Sequence, residues 1–136
     1  MIVKKRSKIA GWGVFATRPI TKNTRIIDYA GEKIPNRESL KREARYLKKG
    51  HIWCFKLNRL YVRDAAVGGN IARYINHACR PNCYTEIAGD TIWIRAARAM
   101  PDYPISKLPD YPITRLPDYP ITRLPDYPMA HQQMPR

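Results

Sequence analysis

The chain has few cysteines, few acidic residues and no long apolar run. Three cysteines in 136 residues, Cys54, Cys79 and Cys83, are an odd and low number, which argues against a disulfide framework and for a reducing compartment. No segment approaches the roughly 20 apolar residues that a membrane-spanning helix needs. The basic segment 1–8 is not followed by an apolar run, so it does not read as a signal peptide. We therefore expect a soluble, intracellular (cytoplasmic) protein with no membrane partner.

Acidic residues are scarce in the first hundred positions. Residues 1–100 carry 21 Lys and Arg against 7 Asp and Glu, whereas residues 101–136 carry 4 against 4, so the whole net charge of +14 lies in the first hundred. One interpretation is an acidic partner such as nucleic acid or an acidic protein surface. The other is that a small basic protein stays soluble. Both stay open.

Short β-branched and aromatic segments separated by turn residues predict a mainly β fold with one principal helix. The helix is predicted from Asn36, as its N-cap, to a stop at Gly50. A hairpin is predicted around Asn58-Arg59, and a second pair of strands is joined at Gly89-Asp90. The predicted strands are 13–17, 25–30, a short piece ending at Pro35, 52–57, 60–63, 84–88 and 91–96.

Residues 101–136 form a separate low-complexity tail. The octapeptide PDYPISKL at 101–108 is followed by PDYPITRL at 109–116 and at 117–124, and a partial copy begins at 125. Nine of the twelve prolines lie in this tail, which disfavours helix and central strand. We expect a disordered, proline-rich tail after a domain spanning 1–100.

The octapeptide has an explanation in DNA. The word CCCGATTA, repeated three times, translates as Pro-Asp-Tyr-Pro-Ile-Thr-Arg-Leu, the sequence of residues 109–116. Because the length of this DNA word is not a multiple of three, successive copies are read in different frames. The encoded peptide therefore repeats only after three copies of the word, which gives a repeat of eight residues. We infer a translated tandem DNA repeat. Whether its copy number varies or it marks a decaying gene stays open.

The sequence of residues 73–83, RYINHACRPNC, does not favour a regular helix or strand. Asn and Pro favour turns, and Pro81 removes a backbone donor, so we expect tertiary contacts to hold this run at a site. Together with Gly11-Trp12-Gly13, it resembles the R-[FY]-I-N-H-[SA]-C-x-P-N and G-x-G signatures of SET-domain protein lysine methyltransferases. The resemblance covers about residues 2–100.

The resemblance implies a SET-type β-clip that transfers a methyl group from S-adenosylmethionine to a lysine of a protein substrate. Tyr29 would line the lysine channel, and Trp53 stands where many members have the tyrosine of Y-x-F. The cofactor-binding residues would be Gly11, Trp12, Gly13, Trp53, Arg73, Asn76 and His77. The plainer readings are an ordinary turn at G-x-G, a structural histidine at His77 and a core aromatic at Tyr29.

The family's G-E-E-L-T-Y-D-Y segment, which carries the catalytic tyrosine, is absent, so the SET domain is incomplete at its C-terminal end. The best register sets Asp110-Tyr111 on the family's D-Y, which places Pro109 at the catalytic position and Lys107-Leu108 on the preceding strand. Proline has no hydroxyl. We therefore expect an impaired methyltransferase, with a non-catalytic SET remnant that binds cofactor or protein as the alternative.

Further expectations concern partners and metals. No cysteine follows Cys83, whereas a structural zinc site needs four ligands, so we expect no metal. We expect a monomer. Nucleic-acid binding is the least favoured function, because no aromatic-plus-basic nucleic-acid motif accompanies the charge.

Overall fold

The computed structural model describes residues 1–7, 11–77, 81–100 and 111–115. These residues form short strands, one α-helix and one 3₁₀-helix, as the prediction of a mainly β fold with short helices requires. The helices are α1 (Asn36–Lys48) and the 3₁₀-helix Ile71–Tyr74. The strands are β1 (Ile2–Arg6), β2 (Trp12–Ala16), β3 (Arg25–Asp28), β4 (Glu32–Pro35), β5 (Cys54–Lys56), β6 (Tyr61–Asp64), β7 (Asn76–His77), β8 (Cys83–Ala88), β9 (Thr91–Ala96) and β10 (Tyr111–Arg115).

The described strands pair into three small sheets. Their strand orders are β1-β2-β10-β7, β3-β9-β8 and β4-β6-β5. All pairings are antiparallel except that of β10 with β7. A separate antiparallel bridge pairs Met100 with Ile20, in the segment between β2 and β3.

The main core lies between the sheets. Side chains from β2, β9 and β10 meet in it, among them Val14, Ile94 and Ile113, each no more than 1 % exposed. A smaller cluster under α1 contains Ile34, Cys54 and Val62, with Tyr46 packed against it. No helix in the described parts of the chain is long and apolar enough to cross a membrane.

Helix α1 begins at Asn36 but is not capped by it. The N-cap is Pro35, without a side-chain capping bond. Asn36 Nδ2 instead donates to the carbonyl oxygen of Arg59, and the Asn36 carbonyl accepts from Ser39 Oγ at 2.7 Å. The prediction of an Asn36 cap was wrong, because the hairpin loop 57–60 takes up its amide. The predicted stop is confirmed, since α1 ends at Lys48, before Gly50.

The two predicted hairpins are present. Asn58 Oδ1 accepts from the backbone N–H of Leu60 and of Tyr61, both at 2.9 Å, and so closes the turn between β5 and β6. Strands β8 and β9 pair over their full length on either side of Gly89-Asp90.

The tail contains a strand where none was expected. Within 101–136 the structure describes 111–115, and these residues form β10, inserted between β2 and β7. Pro112 lies opposite Phe15, while the parallel pairing with β7 starts only at Thr114. Pro112 therefore faces a described strand on one side only, which removes much of the objection to proline in a sheet. The prediction of a wholly disordered tail was wrong for 111–115, and the other tail residues lie outside the described ones.

Candidate cofactor-binding site

A cavity of about 370 Å³ opens where the start of β2, the segment before β5, and the 3₁₀-helix with β7 meet. Six of the seven residues predicted to bind cofactor line it, all except Gly13. The complete lining consists of Gly11, Trp12, Gly50, His51, Ile52, Trp53, Arg73, Tyr74, Ile75, Asn76 and His77.

Asn70 fixes the segment that carries most of these residues. Its Oδ1 accepts from the backbone N–H of Ala72 at 3.0 Å, which caps the 3₁₀-helix. Its Nδ2 donates to the carbonyl oxygen of Asp28 at 3.0 Å, at the end of β3. Ala72 is fully buried. The turn before Arg73 is therefore anchored to β3, in the sheet β3-β9-β8.

Arg73 joins two walls of the cavity. Its guanidinium donates to the carbonyl oxygen of Ala65 at 3.1 Å and to the hydroxyl of Tyr74 at 2.8 Å. Its Cζ lies 4.9 Å from the ring centroid of Trp53 and 5.0 Å from that of Tyr74, within the range of cation–π attraction. The hydrogen bond from Arg73 lowers the pKa of Tyr74 below its usual value. The predicted role of Arg73 in supporting the turn stays a prediction.

Aromatic rings form much of the lining. His51 stacks on Trp53, with ring centroids 4.8 Å apart, and Trp53 meets Tyr74 edge to face at 6.2 Å. Sequence reasoning named neither His51 nor Tyr74. The signal for Tyr74 was its place beside Arg73 in the signature run. His51 follows the helix stop at Gly50 and carries no local pattern that could have identified it.

Strand β1 adds positive charge beside the cavity. Lys4 Nζ lies 4.5 Å from the Trp12 ring centroid and 4.1 Å from that of Tyr74. Arg6 Cζ lies 4.3 Å from the ring of Trp12. Alternate residues of β1 point to the same face, so Lys4 and Arg6 both reach these aromatic residues. Two cationic side chains therefore lie against aromatic residues that line the cavity.

Gly13 contributes space and does not line the cavity. A Cβ at this position would lie 2.9 Å from Nδ2 of Asn76 and 3.0 Å from Cβ of Ser7. Asn76 Nδ2 occupies that space and donates to Ser7 Oγ at 3.1 Å. Gly11 has a φ of +37°, a conformation that side chains rarely adopt. Glycine is therefore needed at position 11 for its backbone conformation and at position 13 for the space that the Asn76 side chain occupies.

Tyr29 lies behind the cavity and not in its lining. It is 2 % exposed, its ring packs 5.0 Å from that of Phe55, and its hydroxyl donates to the carbonyl oxygen of Trp53 at 2.8 Å. The structure therefore ties Tyr29 to the site through the backbone of Trp53. Its placement in a lysine channel stays a prediction.

Strand β10 passes beside the signature pair. Thr114 lies opposite Asn76, and Arg115 lies opposite His77, in the parallel pairing with β7. Lys107-Leu108 and Pro109 lie outside the described residues, so the expected register of the tail stays a prediction.

The cysteines give no support for a metal site. Cys54 and Cys83 are buried and are not joined in a disulfide, and Cys79 lies outside the described residues. In the described ranges, no three His, Cys, Asp or Glu residues are grouped as metal ligands would be. The expectation of no metal stays a prediction.

Known proteins have sequences similar to that of this chain. Histone-lysine N-methyltransferase trr of Drosophila melanogaster is 51 % identical over 83 residues, which are 60 % of this chain and 3 % of that protein. Histone-lysine N-methyltransferase 2D of Homo sapiens is 39 % identical over 101 residues, 71 % of this chain and 2 % of that protein. The chain therefore spans only a small part of the length of these relatives.

A solved structure shares the fold. The humanized mutant of the Chaetomium thermophilum Polycomb Repressive Complex 2 bound to the inhibitor GSK126 contains a chain that matches with a TM-score of 0.71 and 28 % identity, covering 90 % of this chain and 16 % of that one. The SET domain family matches residues 11–102, more than half of the chain. The predicted SET-type fold is confirmed, and the chain belongs to the SET domain family, with histone-lysine N-methyltransferases among its relatives.

Proposed function

We propose that the cavity beside β7 binds S-adenosylmethionine and that the chain is a protein lysine N-methyltransferase with an impaired transfer step. The observation that carries the proposal is the convergence of Trp12, Trp53, Arg73, Asn76 and His77 on one cavity. These residues come from three separate segments of the sequence, and the fold brings the segments together. The proposal of a SET remnant that binds without catalysis differs only in the transfer step.

The lining suits the chemical groups of this cofactor. A cavity of about 370 Å³ is within the usual range for small-molecule sites, about 300–1,000 Å³. The indole faces of Trp12 and Trp53 can stack on a purine, and π faces also attract a sulfonium cation. Lys4 and Arg6, which lie over Trp12, offer charge to a carboxylate. The amide of Asn76 offers both a donor and an acceptor.

When bound, the cofactor supplies a methyl group activated by a positively charged sulfur. The chain's own residues must hold it in one orientation, because alignment with the attacking amine supplies much of the rate. Trp53 is fixed from two directions, by Arg73 over its ring and by the Tyr29 hydroxyl on its carbonyl oxygen. Tyr29 is therefore proposed to position Trp53, in addition to its predicted place at the lysine channel.

One observation supports impairment. The G-E-E-L-T-Y-D-Y segment, with its catalytic tyrosine, does not occur in residues 101–136. We expect cofactor binding to survive better than methyl transfer.

The substrate is proposed to be a lysine-containing protein, and the chain to act as a monomer inside the cell. The names of these relatives specify histones as their substrates, which makes core histones the first substrates to test. A lysine-containing protein of acidic pI is the matched comparison, since the net charge of +14 disfavours a basic partner.

Binding and transfer are tested separately. Calorimetry with S-adenosylmethionine should give a saturable signal that Asn76→Ala weakens about 5- to 150-fold, equivalent to about 1–3 kcal/mol for stranding buried polar partners. Asn36→Ala, remote from the cavity, is the control and should not change binding. No binding by the folded chain would overturn the site. Transfer of a tritiated methyl group to protein would refute the remnant, and binding without transfer would refute the enzyme.

A further inference from the structure

The first sheet contains a slot that one repeat unit fills. Strand β10 lies between β2 and β7, with Tyr111, Pro112 and Ile113 opposite Ala16, Phe15 and Val14. Two side chains anchor it. Ile113 is 1 % exposed in the main core, and Thr114 exchanges hydrogen bonds with Asn82.

The tail offers the same strand twice. Residues 111–115 read Tyr-Pro-Ile-Thr-Arg, and residues 119–123 have the same sequence. Every backbone pairing and side-chain contact of the first segment is chemically available to the second. The partial copy from 125 places Met129 and Ala130 at the two anchor positions, so it lacks the hydroxyl that bonds Asn82.

We propose that the slot between β2 and β7 is a binding site for the repeat unit and that residues 119–123 compete with 111–115 for it. The exchange leaves the neighbour of His77 unchanged, because Arg123 replaces Arg115. What changes is the connection from Met100, which lengthens from residues 101–110 to residues 101–118. A change in the number of repeats therefore leaves the sheet filled.

The entropy of loop closure determines how often residues 119–123 are expected to occupy the slot in place of residues 111–115. The entropy of closing a flexible loop varies as three halves of the logarithm of its length, so lengthening the connection from ten to eighteen residues disfavours the later copy about two- to threefold. The first copy, 103–107, leaves only residues 101 and 102 as a connection. These two residues span little more than 10 Å when extended. Residues 119–123, which have a longer connection, are therefore a stronger competitor for the slot than residues 103–107.

Disulfide trapping in the full chain tests the exchange directly. Ala16 and Tyr111 are opposite in the antiparallel pairing, at a separation that a disulfide bridges. With Ala16→Cys as the fixed partner, Tyr111→Cys and Tyr119→Cys should each form the cross-link, identified by peptide mass mapping, whereas Tyr127→Cys should not. A chain carrying cysteine at 16, 111 and 119 should favour the 16–111 link about two- to threefold. Formation of 16–111 without any 16–119 link would overturn the proposal.

Stability gives a second measurement that needs no introduced cysteine. Ile113→Ala alone should lower the equilibrium constant for folding only about three- to fourfold, because residues 119–123, which keep their isoleucine, can occupy the slot instead. Ile121→Ala alone should change it less than about twofold. The double variant should lower it at least about 30-fold, the usual effect of truncating a buried isoleucine. A single Ile113→Ala as damaging as the double variant would refute exchange.

Discussion

Asn82 and Thr114 bond each other in both directions. The backbone N–H of Asn82 donates to Thr114 Oγ1 at 3.2 Å, and the backbone N–H of Thr114 donates to Asn82 Oδ1 at 2.8 Å. Both residues are buried, Asn82 being 5 % exposed. The Asn82 carbonyl oxygen also accepts from the N–H of Ala97 at 2.9 Å. Asn82 thus connects the tail strand to the chain just after β9.

Replacing Asn82 by alanine should destabilise the fold. The substitution strands the buried N–H of Thr114, and leaving a buried donor without a partner costs about 1–3 kcal/mol. Urea denaturation followed by fluorescence measures the change. Asn36→Ala is the matched control, because its hydrogen bond lies at the surface, and its effect should be smaller. Equal stability of the Asn82 variant and the parent chain would show that β10 is not held by this pair.

Gly13→Ala should weaken cofactor binding although Gly13 does not line the cavity. The new methyl group would lie 2.9 Å from Asn76 Nδ2, so Asn76 must move. Ser7→Ala removes the hydrogen-bond partner of Asn76 without adding volume, and we expect it to have the weaker effect. Calorimetry with S-adenosylmethionine, alongside thermal unfolding, separates the two. Identical affinities for the parent and the Gly13 variant would contradict the packing argument.

Arg73→Met should raise the pKa of Tyr74. The hydrogen bond from the guanidinium is the main cause of the lowered pKa, and burial opposes it. Removing Arg73 leaves burial, which raises the pKa, opposed only by the smaller effect of Lys4. NMR of ¹³C-labelled tyrosine measures the midpoint of the titration. Arg25→Met, which removes a remote ion pair with Glu86, should leave Tyr74 unchanged. A Tyr74 midpoint unmoved by loss of Arg73 would refute the coupling between the two cavity walls.

Tyr46 should make stability fall with pH in the alkaline range. Burial, followed by the 2.7 Å hydrogen bond that its hydroxyl donates to Asp64, raises the pKa of Tyr46 to about 12. The native state therefore holds this proton more tightly than the unfolded chain, whose tyrosine titrates near 10. The contribution is complete below about pH 10 and is lost as the pH rises toward about 12.

Tyr46→Phe isolates that contribution. The stability difference between the parent chain and the variant should be constant from pH 7 to 9 and shrink steadily above about pH 10. Denaturant titrations at fixed pH values measure it, and other alkaline effects cancel because both proteins share them. A stability difference between the two proteins that grows as the pH rises above about 10 would contradict the prediction.

Local signals predicted much of this fold. Asn58, Gly50 and Gly89-Asp90 determine turns within a few residues, so the hairpins and the helix stop followed from sequence. Asn36 was misjudged because its amide bonds Arg59, a residue brought near only by tertiary packing. Strand β10 was missed for the same reason. Its proline, Pro112, argues locally against a sheet, whereas its support comes from Val14 and Asn82, which are distant in sequence.

The candidate site shows the same division. The motif residues on 11–12 and 73–77 were found because they form compact patterns. The hydroxyl of Tyr29 donates to the Trp53 carbonyl oxygen, a contact that could not be predicted from a strand pattern. Lys4 and His51 reach the cavity region only through folding, because one lies on β1 and the other beyond α1.

The central position of β10 has a consequence for synthesis of the protein on the ribosome. Strand β2 is translated early, but its partner at 111–113 emerges 95 residues after Ala16. At about 5–20 residues per second, one edge of β2 waits roughly 5–20 s for that partner. An unpaired strand edge is a template for association with other chains. The nascent protein is thus most exposed to aggregation before its repeats have been made, and the repeats protect it once they emerge.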